Sequence, residues 1–147
     1  MATQRKCGFS LIELLVVTSI LSVLLMLVLP AYQRQLRDTR RSIGGAALQE
    51  TLMRQEQFFL THKRYAETLT ELAYPTHPYA IDASGAVVAN TDENRVYLIN
   101  LTTRTNAFTL HAAPQFDQAA DSECGTLSLD ANGVRHASGD NFGQRCW

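Results

Sequence analysis

The side chains that could carry chemistry are four histidines, three cysteines and a group of carboxylates near the C-terminus. The histidines are His62, His77, His111 and His136, and none lies in an HExxH motif. The chain also contains no GxSxG or P-loop pattern. The sequence therefore predicts no catalytic residues, no metal centre and no cofactor.

The densest carboxylates are Asp117, Asp121, Glu123 and Asp130. A calcium loop would place such residues in a DxDxDG register, which this segment lacks. We expect a solvated acidic face here, with a cation site as the less favoured alternative.

The three cysteines divide by position. Cys7 lies in the N-terminal segment, whereas Cys124 and Cys146 bracket the end of the chain. A bridge between the last two would close a loop of about 23 residues and stabilise the fold by about 3 kcal/mol. We therefore predict a disulfide between Cys124 and Cys146, and with it an oxidising compartment.

An apolar run extends from Phe9 to Leu29, and its one charged residue is Glu13. As a helix the run would measure about 31 Å, which is enough to cross a bilayer. A secretory signal would be shorter and would precede a small-residue cleavage site, which is absent after this run. We expect a retained membrane helix. A lipoprotein site at Cys7 is not expected, because Arg5 and Lys6 precede it in place of an apolar stretch.

The following segment keeps a helical period, since Leu48, Leu52, Gln55 and Phe59 recur at helical spacing. One helix from Phe9 to about Leu60 is predicted, with weak points at Pro30 and at Gly44-Gly45 where it should bend or melt.

After Tyr65, alternating runs predict antiparallel strands around positions 97–101, 108–112 and 127–134, with His111 exposed on the outward side. The expected fold class is α+β, with a long N-terminal helix packed on a small antiparallel sheet.

Charge is unevenly distributed. Arginines 34, 37, 40 and 41 crowd one segment, while the chain from Ser42 onward carries seven basic and twelve acidic residues. An acidic head is a poor electrostatic match for nucleic acid. A local basic patch of Arg95, Arg104 and Arg135 nevertheless stays open as an alternative.

The segment KCGFSLIE, from Lys6 to Glu13, resembles the processing site of type IV prepilins and of the related type II secretion pseudopilins. The resemblance implies that a prepilin peptidase cuts after Gly8 and that Phe9 becomes the methylated N-terminus. Pro30 stands where these families have a helix-bending proline. The implied divisions are a leader at 1–8, a transmembrane and filament-core helix at 9–29, and an exported head at 30–147.

The head resembles minor pilins of the PilE type and their DNA-uptake relative ComP. The resemblance rests on RQEQFF at 54–59, FTLHAAP, CGTLSLD and the terminal Cys146-Trp147. It implies a type IV pilin-like fold and a minor pilin that spans the inner membrane once, with a periplasmic head, before joining a pilus on the cell surface. The implied partners are the peptidase, other pilins, the assembly machinery and, before assembly, membrane lipid.

Glu13 is central to that interpretation. A carboxylate at mid-bilayer costs about 2.5 to 3.5 kcal/mol and is usually kept for a partner. In a filament core it would pair with the Phe9 amine of a neighbouring subunit, whereas the simpler alternative is that it snorkels to the interface. Two other functions stay open, a DNA-uptake receptor and a secretion pseudopilin.

Overall fold

The computed structural model describes residues 10–139 and 146–147. The predicted processing residues Gly8 and Phe9 lie outside the described residues. A single α-helix, α1, spans Leu11–His62 and is followed by six strands: β1 Tyr79–Asp82, β2 Val87–Val88, β3 Arg95–Arg104, β4 Ala107–Pro114, β5 Leu127–Asp130 and β6 Arg135–Ala137. Two short 3₁₀ helices, Leu69–Leu72 and Phe116–Ala120, lie in the connections.

All paired strands are antiparallel, and their order across the sheet is β2-β1-β3-β4-β5-β6. The long central pair, β3 and β4, is joined by a tight turn at Thr105 and Asn106. The predicted α+β class and the helix-then-sheet order are confirmed.

The described residues form two compact units that divide between Leu36 and Arg37. In the first unit, α1 is long and apolar enough to cross a membrane, and its large apolar side chains are exposed from Leu11 to Leu29. The hydroxyl groups of Thr18, Ser19 and Ser22 donate to carbonyls one turn earlier in the helix. Because these groups are satisfied within the helix, they do not interrupt its apolar surface.

In the second unit, the C-terminal half of α1 packs on one face of the sheet. The helix contributes Leu48, Thr51 and Gln55, which are fully buried. The sheet contributes alternating residues: Tyr97, Ile99, Leu101, Phe108, Leu110, Leu127 and Leu129. The predicted helical stripe is correct at Leu48 and Gln55, but Phe59 is exposed near the end of the helix.

The backbone of α1 is helical at both predicted weak points, so it does not melt at Pro30 or at Gly44-Gly45. The two glycines are instead places of close approach. A Cβ atom on Gly44 would lie 3.0 Å from Cε2 of Tyr97, whereas one on Gly45 would lie 3.5 Å from Cε3 of Trp147. Gly44 therefore lets the helix contact the central strand β3 at van der Waals distance.

Polar contacts fix the connection between helix and sheet. The Gln55 side chain donates to the Ala66 carbonyl at 3.0 Å and accepts from the Ala66 amide at 2.9 Å. One turn earlier, the Thr51 hydroxyl lies 3.0 Å from the hydroxyl of Tyr74 and 2.9 Å from that of Tyr79. These buried pairs supply hydrogen-bond partners to polar groups that close packing would otherwise leave unsatisfied.

The predicted disulfide between Cys124 and Cys146 is present. It holds the C-terminal residue Trp147 beside the helix, where the indole N–H donates to the His136 carbonyl at 3.1 Å. The bridge thus ties the end of the chain to the β5 side of the sheet.

Gly44 and Gly45 form a matched pair for testing the close approach. Gly44→Ala should destabilise the head, because crowding against Tyr97 costs about 1 to 3 kcal/mol and outweighs a gain in helix propensity of up to about 1 kcal/mol. Gly45→Ala meets only ordinary contact distances and should be neutral or stabilising. Urea unfolding of the full chain in detergent measures both. Equal effects of the two substitutions would contradict this assignment.

Candidate functional sites on the helix and the head

Glu13 lies in the first turn of α1, where its amide donates to the Ser10 carbonyl at 3.1 Å. It is the only charged residue between Leu11 and Leu29, and the apolar side chains around it are exposed. A carboxylate in that setting gains most from a cationic partner delivered by another molecule. The described residues of the first unit contain no such cation before Arg34.

Arg41 carries the main electrostatic contact of the head. Its side chain is buried and donates two hydrogen bonds to the carboxylate of Asp121, one of them from Nε to Oδ2 at 2.5 Å. Further donors reach Asp38 at 2.8 Å and Glu123 at 3.1 Å. The hydrogen bond to Asp121 raises the pKa of Arg41 above its usual value, so the guanidinium keeps its charge.

Asp121 also organises the second 3₁₀ helix. The Gln118 side chain donates to Asp121 at 3.3 Å and to the Tyr97 hydroxyl at 3.1 Å, and the Cys124 amide points to the same carboxylate at 3.4 Å. Burial raises the pKa of Tyr97 to about 12, so this hydroxyl stays protonated. The contacts link β3, the acidic segment and the disulfide.

The prediction of a solvated acidic face is therefore wrong for Asp121, which is 2% exposed. Asp130 is also engaged, since it accepts the amides of Asn132 and Val134 at 2.9 Å each. Because Asp121 and Glu123 both face Arg41, their carboxylates neutralise a cation that the chain itself supplies. The cation-site alternative gains no support from this geometry.

A groove of about 820 Å³ lies between the end of α1 and the β3–β4 turn. We call it the basic groove; its lining residues are Phe59, Lys63, Arg64, Tyr65, Glu67, Thr103, Arg104, Thr105, Asn106 and Ala107. Arg64 is fixed by Glu71 at 2.6 Å and lies over the Phe58 ring. Within the described residues, Lys63 and Arg104 form no ion pair.

The local backbone explains why these cations converge. Lys63 has a φ of 56°, which turns the chain out of the helix, and Asn106 has a φ of 59°, which closes the β3–β4 turn. Left-handed conformations of this kind are common at a helix C-terminus and at a hairpin turn. Both bends bring polar side chains to the same end of the head.

The basic patch considered from sequence, Arg95 with Arg104 and Arg135, is not formed. Arg95 and Arg104 stand at opposite ends of β3, which at ten residues is about 30 Å long. Arg135 lies on β6 and is placed over the Trp147 ring at 5.4 Å. Arg104 instead joins Lys63 and Arg64, a grouping that no sequence spacing could indicate.

The histidines have local structural contacts. His62 stacks on Phe58 at 4.0 Å, and the Nδ1 atom of His77 accepts the Leu69 amide at 3.3 Å. His111 was expected to be exposed but is half-buried beside the Thr102 hydroxyl, and burial lowers its pKa. Among the described residues, no group of three or more histidine, cysteine or acidic side chains is placed to hold a metal ion.

Comparison with known proteins identifies the family. Residues 30–128 match the family model described as "Type IV minor pilin ComP, DNA uptake sequence receptor", and residues 3–29 match the prokaryotic N-terminal methylation motif. The long apolar helix followed by an antiparallel sheet is consistent with a membrane-anchored subunit of this class. The first match covers more than half of this chain, so the chain belongs to the ComP family of type IV minor pilins.

One similar solved structure is a type IV pilin from Shewanella oneidensis. It is 22% identical, covers 74% of this chain and 99% of its own, and superposes with a TM-score of 0.49. No curated protein matches this chain. The sequence-based prediction of a minor pilin is confirmed by the family match, and pilin families are structural rather than enzymatic.

Asp121 and Asp38 offer matched tests of the Arg41 cluster. Asp121→Asn leaves a buried guanidinium without its main counter-charge and should cost about 3 to 5 kcal/mol. Asp38→Asn removes a contact whose carboxylate is 57% exposed and should cost less than about 1 kcal/mol. Chemical denaturation of the full chain measures the difference. A similar loss for both variants would show that Asp121 has no special role.

Proposed function

We propose that this minor pilin is anchored in the inner membrane by residues 9–29 and cut after Gly8 by a prepilin peptidase. Phe9 then becomes the methylated N-terminus, and residues 30–147 form the exported head. The pilus assembly machinery moves the subunit from lipid into the filament, where other pilins cover its helix. The supporting observation is the apolar surface of α1 from Leu11 to Leu29, which is exposed on all sides and carries only Glu13 as a charge.

Two features of the helix suit its transfer from lipid into a filament. Glu13 is costly in lipid but can pair with the Phe9 amine of a neighbouring subunit once helices pack together. Pro30 has no amide hydrogen, so one carbonyl in the preceding turn lacks its helical donor. We propose that Pro30 lets the helix adapt locally when it leaves the bilayer for the filament.

Glu13→Ala separates anchoring from assembly. Membrane insertion should be unchanged or slightly improved, because a costly carboxylate is removed. Filament entry should fall, because an unpaired buried amine costs about 3 to 5 kcal/mol, or more than about a hundredfold in an equilibrium. The measurement is the ratio of subunit in sheared pili to subunit in the membrane.

Thr18→Ala is the matched control for that experiment, because it removes a polar group from the same helix and leaves the charge of the helix unchanged. The control should leave the ratio unchanged. An unaffected ratio for Glu13→Ala would instead identify Glu13 as an interfacial residue with no part in assembly.

A second candidate function is DNA recognition at the cell surface, which the description of the ComP family suggests. The basic groove supports it. Lys63 and Arg104 are exposed cations without a carboxylate partner in the described part of the chain, and Arg64 is held in place by Glu71. Positioned cations of this kind can contact backbone phosphates.

Several of the remaining lining residues fit the same ligand, whereas Glu67 adds one carboxylate to the groove. Hydroxyl and amide groups of Thr103, Thr105 and Asn106 can donate to phosphate or base edges. On the helix side, the rings of Phe59 and Tyr65 contact each other at a tilt of 31°, with their centroids 4.8 Å apart. The acidic total of the head does not oppose this site strongly. Asp121 is buried against Arg41, and charges farther away than about 8 to 10 Å are screened by salt.

Arg104→Gln and Arg95→Gln test this proposal, since both remove one positive charge from β3 at opposite ends. Arg104→Gln should weaken duplex binding by the full chain in detergent and reduce its salt dependence by roughly one counterion. Arg95→Gln should change neither. Equal weakening by both variants would indicate non-specific attraction and would contradict a site in the basic groove.

A further inference from the structure

The head has a second recess, far from the basic groove, at the start of β3. It has a volume of about 650 Å³ and is lined by Asn90, Thr91, Glu93, Arg95, Phe116 and Asp117. We call it the Phe116 groove. Neither filament entry through the helix nor DNA contact at the basic groove uses it.

Phe116 has two costly properties at once. Its φ of 45° lies in the left-handed region, which an aromatic residue rarely adopts, and its side chain is 53% exposed. The Arg95 guanidinium lies 4.5 Å from the ring centroid and donates to the Asp92 carbonyl at 2.8 Å. The ring is thus held at the surface by a fixed cation, although burial would be its ordinary preference.

Asn90 supplies an independent observation on the same recess. Its Nδ2 atom donates to the Pro78 carbonyl at 2.8 Å, which fixes the orientation of the amide. The Oδ1 atom is buried, and within the described residues it accepts no hydrogen bond. Since buried acceptors are nearly always satisfied, this oxygen would gain a hydrogen bond if a donor from another molecule entered the recess and displaced the groups that cover it.

The groups that line the recess define the chemistry of that donor. Glu93 and Asp117 are exposed carboxylates, and Asn90 adds a carbonyl acceptor, against the single cation Arg95. An acceptor-rich recess beside an aromatic ring favours a planar cation with several donors, which is the arginine side chain. Arginine and aromatic residues are also the usual anchors of protein interfaces.

Such an arginine stands close by on the same surface. The Arg37 carbonyl accepts from Gln118 of the 3₁₀ helix that begins at Phe116, and Arg40 lines a depression adjoining Phe116. Arg41 is turned inward to Asp121, whereas Arg37 forms no ion pair within the described residues. Arg37 and the Phe116 groove therefore occupy one face of the head.

We propose that two copies of this chain pair through that face, with Arg37 of each copy entering the Phe116 groove of the other. Because donor and recess share one face, a two-fold contact satisfies both grooves at once. Anchoring in one membrane keeps the copies in the same orientation and raises their effective concentration, so a small contact is sufficient.

Cysteine cross-linking of the full chain in membranes tests the pairing. One tagged copy carries Asp117→Cys and a second, differently tagged copy carries Arg37→Cys, both in a Cys7→Ser background. We expect an oxidised product that contains both tags. The control partner is Thr105→Cys, at the other end of β3, which should give none.

Phe116→Gly distinguishes an interface anchor from a strained structural residue. Glycine accepts the left-handed backbone, so thermal stability should be equal or higher, while the Asp117–Arg37 product should fall by about tenfold, as for an interface anchor. An unchanged yield would overturn the proposal. So would the absence of any product above the Thr105 control, or cross-linking to a different pilin in place of the second copy.

The product is read in the membrane fraction, before filament entry. Glu13→Ala should therefore leave it unchanged even where it depletes the subunit from pili. A loss of the product in Glu13→Ala membranes would overturn pairing through the heads, because the contact would then depend on the helix.

Discussion

The contact between Gly44 and the ring of Tyr97 is the constraint on which the head depends. Tyr97 is fully buried on the central strand, and a side chain at position 44 would push the helix away from it. The flanking helical turns carry Arg41 on one side and Leu48 and Thr51 on the other. Arg41 reaches Asp121, and Thr51 reaches Tyr74 and Tyr79, only because the helix lies this close to the sheet.

Arg41 and the disulfide each fix a different segment in the C-terminal part of the head. The ion pair with Asp121 fixes the second 3₁₀ helix to α1, and the bridge fixes the last residues to the segment that follows. A buried ion pair gives little net stability compared with apolar packing, but it penalises every arrangement that leaves one charge alone. Its contribution here is therefore to specify where the segment lies.

The sequence predicted features with a regular period or a fixed motif. The helix over the apolar run, the strand alternation in β3 and β4 and the cysteine pair each follow from local pattern, and the structure confirms each of them. Sequence-based predictions were wrong where contacts between residues far apart in the chain decide the local structure. Gly44-Gly45 was interpreted as a weak point because its partner, Tyr97, lies 53 residues away. Asp121 was expected in solvent for the same reason, since Arg41 is 80 residues distant.

Net charge was the least informative quantity, because it ignores where charges lie. The acidic total of the head includes Asp121, whose charge is cancelled by Arg41, and Glu71, whose pKa is lowered by its bond to Arg64. Strand β3 begins with Arg95, which lies near the carboxylates of Glu93 and Asp117. It ends with Arg104, which lies near Lys63 and Arg64 at the end of α1. At about 30 Å apart the two ends are screened from each other, so one small head can present a cationic and an acidic surface independently.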